Sequence, residues 1–254
     1  MAQTLTGMVA VVTGSSRGIG AAIAKLFARE GARVAVHGRD EAAVTAVHAD
    51  IERLGGHAMH LTADVTNFAD VERLREAVES RLGPVDILVA NAGGSSSPPM
   101  PLESITAEAW RASVDANLTA TFLTIKSFLP AMKARGSGTI ITLSSAAARR
   151  AHPGSPIAYA AAKAGIQILT QDVAAQAGPY NVRVNCIAPE IILTERNQAA
   201  IPDAQQAKLA DVHPLKRLGS PEDVARAALF LASKESAWIT GVIVDVAGGA
   251  VMTI

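Results

Sequence analysis

The sequence predicts an α/β protein built on a doubly wound parallel sheet of about seven strands, with helices on both faces. Short apolar segments alternate with amphipathic segments along all 254 residues, as in repeated βαβ units. Hydrophobic residues make up 49% of the chain and aromatic residues only 4%. The core must therefore be aliphatic, which is typical of parallel strands buried on both faces.

The elements follow one another in a regular order. Seven apolar segments are predicted strands: residues 8–13, 34–37, 58–61, 87–90, 139–143, 182–187 and 242–246. Helical patterns cover residues 21–30, 41–54, 69–81, 107–133 and 221–233, and a further helix between the fifth and sixth strands carries Tyr159 and Lys163. Glycines and Gly-Pro pairs end most of these helices, where C-caps are expected.

No linker, repeat or low-complexity boundary divides the chain, so residues 1–254 are expected to form a single domain. The segment at about residues 190–214 follows the sixth strand and mixes apolar, amide and charged residues. Long connections of this kind are often functional. We expect this segment to be a lid over a substrate site.

Composition and charge exclude several classes of protein. Acidic and basic residues balance at 23 each and form no long basic run, so nucleic acid is not an expected partner. No apolar segment reaches the 18 or so residues of a membrane span, and no secretory signal is visible. The single Cys186 excludes an internal disulfide, and the unclustered histidines predict no metal site. We expect a soluble, cytoplasmic protein with a small-molecule substrate.

A glycine-rich loop, TGSSRGIG over residues 13–20, joins the first strand to the first helix. Glycines permit the tight turn and let backbone N–H groups approach a pyrophosphate, and the helix N-terminus adds its positive dipole. Because the loop lies between a strand and a helix, it predicts nucleotide binding. The residues expected to contact the nucleotide are Gly14, Ser16, Arg17, Gly18, Ile19 and Gly20.

Tyr159 and Lys163 lie four residues apart in an alanine-rich helix, so their side chains share one face. A neighbouring ammonium group favours the phenolate. Two unit charges about 4 Å apart at an effective dielectric of about 20 interact by roughly 4 kcal/mol. Before the cost of desolvating the phenolate is subtracted, that energy could lower the pKa of a phenol from about 10 to roughly 7, the range of a general acid or base. By itself the spacing also fits a half-buried tyrosine beside a solvated lysine.

The Gly-x-x-x-Gly-x-Gly loop and the Tyr-x-x-x-Lys pair together resemble the short-chain dehydrogenase/reductase family over nearly the whole chain. The resemblance implies a Rossmann-type fold and hydride transfer with a nicotinamide cofactor. It makes Tyr159 the general acid/base, and Lys163 the group that lowers its pKa and holds the nicotinamide ribose. It also implies that Ser145, rather than Ser144, binds the substrate oxygen and that Asn117 supports a water chain leading to the lysine.

Other segments that match the family imply further cofactor contacts. Two residues after the third strand would meet the adenine, a turn after the fourth strand would touch the cofactor, and the exit of the sixth strand would fix the nicotinamide carboxamide. The residues implied are Asp64, Val65, Asn91, Ala92, Gly93, Pro189, Ile192 and Thr194.

The chain departs from the family pattern near the expected substrate site. Glu190 follows Pro189, where the family usually has glycine. This implies either a different loop path or an acidic group near the substrate mouth. The segment between Ser145 and Tyr159 carries Arg149 and His152, which either touch substrate or are solvated.

The end of the second strand indicates the cofactor. An acid there would bind the ribose hydroxyls and repel a 2′-phosphate, but this chain has Gly38 followed by Arg39. Arg17 is expected to project to the same corner, and two guanidinium groups suit a phosphate dianion. We expect a preference for NADP(H). NAD(H) is the alternative cofactor, because NAD-using relatives also carry the loop arginine. Asp40 would then only cap the next helix.

The expected function is an NADP(H)-dependent oxidoreductase that transfers hydride between nicotinamide and a ketone or secondary alcohol. The chain looks most similar to β-ketoacyl reductases and broad ketoreductases. One alternative is an NAD-dependent dehydrogenase of a sugar, polyol or other secondary alcohol. Another is a non-catalytic protein that senses dinucleotides. The resemblance also implies a homotetramer, with a dimer as the alternative.

Overall fold

A parallel sheet forms the centre of the protein. The computed structural model describes residues 3–95, 97–151 and 154–252. Within them seven strands pair in the order β3-β2-β1-β4-β5-β6-β7, all parallel. Their bounds are β1 Val9–Val12, β2 Arg33–Gly38, β3 His57–Thr62, β4 Ile87–Ala90, β5 Gly138–Leu143, β6 Val182–Pro189 and β7 Ile243–Val246. The predicted strand order along the chain and the parallel sheet are confirmed.

Helices connect the strands and cover both faces of the sheet. Their bounds are α1 Gly18–Arg29, α2 Glu41–Arg53, α3 Phe68–Leu82, α4 Ala107–Val114, α5 Ala120–Arg135, α6 Ile157–Ala177, α7 Glu195–Ala200, α8 Asp203–Asp211 and α9 Pro221–Ala232. Caps account for several helix starts. Asp40 accepts a hydrogen bond from the third residue of α2, and Ser220 forms a capping box with Asp223 at the start of α9.

The two faces of the sheet have separate apolar cores, because side chains alternate along each strand. Ala10 and Val12 of β1 pack with residues of α1, α2 and α9 on one face. Val9 and Val11 pack with residues of α3, α5 and α6 on the other. Both sets are almost completely buried, which explains why the strands are continuously apolar in sequence.

The sheet reverses its strand order beside β1. Val12 pairs with Val36 of β2 on one side and with Val89 of β4 on the other. In open α/β sheets, ligands bind outside the carboxyl ends of the strands at such a switch point. The fold therefore directs the segments after β1, β4, β5 and β6 into one crevice.

The predicted helix over residues 107–133 was wrong in its continuity. It is divided into α4 and α5 by a π-helical turn, Asp115–Thr119. Such turns occur mostly inside helices and frequently at functional sites. Within the turn, Asn117 is completely buried, and the Thr121 hydroxyl donates to its carbonyl oxygen at 2.8 Å.

The segment after β6 contains two helices that the sequence pattern did not indicate. Thr194 caps α7 by accepting a hydrogen bond from the Asn197 amide, and α8 follows directly after Pro202. Both helices are short and lack buried residues, so no apolar stripe marks them in the sequence.

Candidate active site

An open cleft of about 1020 Å³ lies at the carboxyl ends of the strands. It brings together side chains and backbone from the glycine loop, the ends of β4, β5 and β6, and helix α6. The predicted site residues in its wall are Gly14, Arg17, Gly18, Ile19, Gly20, Asn91, Gly93, Ser145, Tyr159, Lys163, Pro189, Ile192 and Thr194.

Two glycines of the loop, Gly14 and Gly20, are packed too closely to be replaced by residues with side chains. A Cβ atom on Gly20 would lie 2.3 Å from the Gly14 carbonyl oxygen, and one on Gly14, whose φ is +65°, would lie 2.8 Å from the Ala92 Cα. The Asn91 side-chain amide donates to the carbonyl oxygens of Thr13 and Gly14. The loop therefore exposes bare backbone and the N-terminus of α1 to the cleft, which fits the pyrophosphate of a dinucleotide.

His37, near the end of β2, supports this loop and was missed in the sequence. Its Nδ1 accepts a hydrogen bond from the Gly14 amide at 3.2 Å, and its Nε2 lies 3.1 Å from the Ala63 carbonyl oxygen. Burial lowers the pKa of this imidazole below its ordinary value, which favours the neutral ring that this pairing requires. A polar residue in an otherwise apolar strand was the available signal.

Lys163 is almost fully buried, and its Nζ donates to the Leu143 carbonyl oxygen at 2.7 Å. Burial lowers the pKa of Lys163 to about 8. The Nζ lies 5.7 Å from the centre of the Tyr159 ring. The shared helix face is therefore observed.

The expected fall in the pKa of Tyr159 is not seen. Burial raises the pKa of Tyr159 above its ordinary value, and its hydrogen bond with Ser145 opposes this only partly. The cost of desolvating the phenolate, which spacing along a helix does not measure, dominates here. The phenol keeps its proton at neutral pH.

The two adjacent serines have different surroundings. The Ser144 hydroxyl donates to the Lys163 carbonyl oxygen at 2.8 Å and accepts from the Gln167 amide at 2.9 Å. The Ser145 hydroxyl accepts a hydrogen bond from the Ala147 amide and also meets the Tyr159 phenol. Ser145 is therefore the serine beside the phenol, and Ser144 holds helix α6 against β5.

Asn117 lies behind the cleft and joins the π-helical turn to the segment after β4. Its Oδ1 accepts from the Gly94 amide at 2.9 Å, and its Nδ2 donates to the carbonyl oxygens of Gly94 and Ser113. All of these partners are backbone groups. The side chain therefore holds the π-helical turn and the segment after β4 together, a role that the sequence did not reveal.

The corner after β2 holds the charges expected to select the cofactor. The Arg17 guanidinium forms an exposed ion pair with Asp40 at 3.0 Å. A Cβ atom on Gly38 would lie 2.9 Å from the Ser16 Cβ and the Val44 Cγ1. A side chain at position 38 would therefore overpack this corner. Arg39, next along the chain, is exposed.

Four other expected site residues, Ser16, Asp64, Val65 and Ala92, are not among those that line the cleft. The Asp64 carboxylate accepts hydrogen bonds from the amide and hydroxyl of Thr66, and these hold its pKa below the ordinary value. Val65 is buried, and the Ala92 amide donates to the Thr13 hydroxyl. Ser16 packs on Gly38, as described.

The exit of β6 forms the opposite wall. Glu190 continues the sheet, because its amide donates to the Val246 carbonyl oxygen, and it lines the cleft. Of the two alternatives for this position, an acidic group at the cleft is observed. Thr194 approaches the glycine loop: a Cβ atom on Gly18 would lie 3.0 Å from its Cγ2. From α7, Arg196 donates across the cleft to the Ser95 carbonyl oxygen at 2.8 Å.

The interpretation of Arg149 as a solvated loop residue was wrong. Its side chain is mostly buried and forms an ion pair with Asp245 of β7 at 2.9 Å. The partner lies 96 residues away in the chain, so no local pattern could indicate it. His152 lies outside the described residues.

In the part of the chain that the structure describes, no group of three or more His, Cys, Asp and Glu side chains is arranged to hold a metal ion. Across the same residues, no helix combines the length and hydropathy needed to cross a bilayer.

Comparison with known proteins gives the family. Residues 14–251 match a family model described as enoyl-(acyl carrier protein) reductase. The chain is 37% identical over 247 residues to 7α-hydroxysteroid dehydrogenase of Escherichia coli K12, covering 97% of this chain and 95% of that protein. It is 38% identical over 251 residues to 3-oxoacyl-(acyl-carrier-protein) reductase FabG of Chlamydia muridarum, covering 98% of this chain and 99% of that protein.

A solved structure supports the same relationship. A 7α-hydroxysteroid dehydrogenase complexed with NADH and 7-oxo glycochenodeoxycholic acid matches with a TM-score of 0.92 and 36% identity, covering 99% of this chain and 97% of that one.

The fold and the cleft thus define a nicotinamide-dinucleotide oxidoreductase that acts on CH–OH and C=O groups. The chain belongs to the short-chain dehydrogenase/reductase family. The expected family, Rossmann-type fold and reaction class are confirmed. Because the relatives are named enzymes, the alternative of a non-catalytic dinucleotide sensor is not supported.

Proposed function

We propose that this chain is an NADP(H)-dependent ketoreductase, similar in its reaction to β-ketoacyl reductases or to ketoreductases of broad specificity. The observation that carries the proposal is the meeting of Ser145, Tyr159 and Lys163 with the glycine loop in one cleft. The relative named 3-oxoacyl-(acyl-carrier-protein) reductase supports a β-ketoacyl type of substrate.

In the proposed reaction, Tyr159 donates a proton to the carbonyl oxygen as negative charge develops there. Ser145 hydrogen-bonds the same oxygen and orients it. Because burial raises the pKa of Tyr159, the phenol is in the donating form at neutral pH, which supports the direction of ketone reduction. A bound nicotinamide dinucleotide supplies or accepts the hydride.

Lys163 completes the proposed proton route. Its ammonium group donates to the Leu143 carbonyl oxygen. Lys163 and Tyr159 both line the cleft. At pH values below its pKa of about 8, Lys163 carries a positive charge. This charge stabilises a phenolate formed after proton transfer. We propose that Asn117 supports this route by holding the π-helical turn against Gly94.

The proposed preference for NADP(H) depends on the corner after β2. Arg39 is exposed there, and Gly38 has no room for the acidic side chain that would repel a 2′-phosphate. Arg17 supplies a second guanidinium group in the cleft wall. Its pairing with Asp40 is exposed and therefore weak enough to be replaced by a phosphate contact.

We also propose that the chain works as a single domain with a lid at about residues 190–214. The two short helices of this segment bury no residues of their own. Arg196 and Thr194 nevertheless hold its start over the cleft, through Ser95 and Gly18. A segment with few buried contacts opens at low free-energy cost. The contacts of Arg196 and Thr194 would hold such a lid in its closed position.

A homotetramer is the proposed assembly, and apolar side chains exposed on several elements of the described surface support it. Phe122 of α5 and Ile168 of α6 expose 45% and 60% of their surface. Phe230 of α9, Val242 before β7 and Trp238 are also exposed, Trp238 completely. Two distinct self-complementary areas generate two twofold axes, as in a tetramer, whereas one would give a dimer. Buried free Cys186 suits the reducing cytoplasm, where we propose that the enzyme acts.

The function is tested by following NADPH oxidation against ketones, β-ketoacyl thioesters and keto sugars. We expect at least one ketone or β-ketoacyl thioester to be reduced. Tyr159→Phe should then lower kcat about 10³-fold, since general acid catalysis contributes about 10²–10⁴-fold, with NADPH binding unchanged. Full turnover by Tyr159→Phe would contradict the catalytic assignment.

The second candidate is an NAD-dependent dehydrogenase of a sugar, polyol or other secondary alcohol. The solved relative described with NADH and the pairing of Arg17 with Asp40 both favour it. Comparing kcat/KM for NADH and NADPH with one verified substrate separates the candidates. A higher value with NADH would replace the first proposal by the second.

A further inference from the structure

An ion pair links the last strand to the segment that carries Ser145. Arg149 donates from Nε and Nη2 to the two carboxylate oxygens of Asp245, at 2.9 and 3.2 Å. The two side chains are only 19% and 17% exposed. Two parallel hydrogen bonds between planar groups fix orientation as well as distance.

Hydrogen bonds continue from this pair towards Lys163. The Arg149 Nη1 donates to the Gln167 Oε1 at 3.4 Å, and the Gln167 Nε2 donates to the Ser144 hydroxyl at 2.9 Å. The Ser144 hydroxyl in turn donates to the Lys163 carbonyl oxygen at 2.8 Å. Gln167 is one helical turn beyond Lys163 and is 8% exposed, so the path runs through buried groups.

Arg149 also ends the short turn that begins at Ser145. The Ser145 hydroxyl accepts from the Ala147 amide at the start of this turn, and the Arg149 amide donates to the Ala146 carbonyl oxygen at its end. The position of the Arg149 backbone therefore constrains that of Ser145, four residues earlier.

Stability alone is a weak explanation for this arrangement. Desolvation offsets much of the attraction in a buried ion pair, and apolar residues of similar volume often serve as well or better. Such a pair instead imposes one geometry, because any other arrangement leaves a buried charge without its partner.

We propose that Arg149 and Asp245 are positioning residues, which hold Ser145 at the Tyr159 phenol through their ion pair and its link to Gln167. This inference rests on the proposed function for its catalytic consequence. It needs no turnover for its structural part, because the contact between Ser145 and Tyr159 can be observed directly.

The test uses a single-tyrosine protein. The chain has two tyrosines, and Tyr180 is half-exposed on the surface, so Tyr180→Phe leaves Tyr159 alone. With [13C]tyrosine labelled at Cζ, one NMR resonance reports the hydrogen bonding of the Tyr159 phenol at neutral pH. Two changes are made in this background: Asp245→Asn, and the apolar pair Arg149→Met/Asp245→Leu, which keeps the fold if the single variant does not.

We expect both changes to shift the Tyr159 resonance and to lower kcat about tenfold, with the NADPH Kd within about twofold of the parent. Glu79→Gln is the matched control. It breaks an ion pair with Arg75 on α3 that is similarly buried, at 25% and 20% exposure, and should leave the resonance and kcat unchanged.

An unshifted resonance in the apolar pair variant overturns the proposal, whatever happens to kcat. A shifted resonance in a protein that reduces no carbonyl upholds the positioning role and shows instead that the proposed function fails. A shift of equal size in Glu79→Gln also overturns the proposal, because the resonance would then report general loosening of the fold.

Discussion

The two ends of the cleft are built differently. At the catalytic end, Lys163 and Ser144 are buried and hydrogen-bonded to backbone. At the adenosine end, Arg17 and Asp40 are mostly exposed and pair with each other. Contacts at the first end depend on how α6 packs against β5, whereas those at the second depend on charges that salt screens. Packing therefore holds the groups at the catalytic end in place, whereas the choice of cofactor, as we propose it, depends on exposed side chains.

The adjacent serines provide the strongest test of the catalytic end. Ser145→Ala should lower kcat about 10²–10³-fold, as loss of a donor to a developing oxyanion does. Ser144→Ala should mainly destabilise the protein by about 1–3 kcal/mol, because the Gln167 amide loses its buried partner. Steady-state kinetics and thermal unfolding of both variants measure this contrast. Equal losses of kcat would remove the distinction between the two serines.

Arg39→Ala tests the adenosine end. Losing a charged hydrogen bond costs about 1.5–3 kcal/mol, so the KM for NADPH should rise about 10- to 100-fold while that for NADH stays within about twofold. Arg53→Ala, which removes an exposed arginine at the far end of α2, is the control. Unchanged NADPH affinity in Arg39→Ala would show that this corner does not select the cofactor.

The buried ammonium group predicts a pH dependence of stability. The pKa of Lys163 is lowered from 10.5 to about 8 by folding, so between these values the unfolded chain binds more protons and stability rises with pH. Between pH 8 and 9, cofactor-free wild type should gain about 1 kcal/mol, or about 2–4 °C in Tm, relative to Lys163→Met. Above that window, the raised pKa values of Tyr159 and Cys186 act in the opposite direction.

Differential scanning calorimetry of wild type and Lys163→Met between pH 8 and 9 measures this difference in Tm. Subtracting the variant removes the shared contributions of Tyr159 and Cys186. A gap that does not change between pH 8 and 9 would mean that buried Lys163 keeps its proton across this range, so that folding does not lower its pKa to about 8.

Asp40→Asn should have the smallest effect and the clearest salt dependence. Asparagine still caps α2, but it no longer holds the Arg17 guanidinium. We expect NADPH affinity to rise about two- to threefold at low ionic strength and the gain to vanish at high ionic strength. Asp50→Asn, which also removes an exposed acid from α2, is the control in the same fluorescence titration.

The sequence was sufficient for the fold because its signals were local. Apolar strands, glycine stops and the strand–loop–helix context of TGSSRGIG all lie within a few residues of the element they predict. The spacing of Tyr159 and Lys163 placed both on one face for the same reason. These features needed no knowledge of packing.

Features that depend on distant neighbours could not be predicted. The support of Gly14 by His37 and the pairing of Arg149 with Asp245 join residues 23 and 96 positions apart. The rise in the pKa of Tyr159 depends on burial, which spacing does not measure. The helices after β6 lack an apolar stripe, so periodicity gave no signal for them.

The π-helical turn changes the phase of one long helical segment. Each residue advances an α-helix by about 100°, so one extra residue in the turn rotates everything after it by about that angle. α4 can thus pack on α6 while α5 packs on α3 and the sheet. This stretch must therefore preserve its length as well as Asn117, because deleting a single position would swing one of the two halves away from its partner.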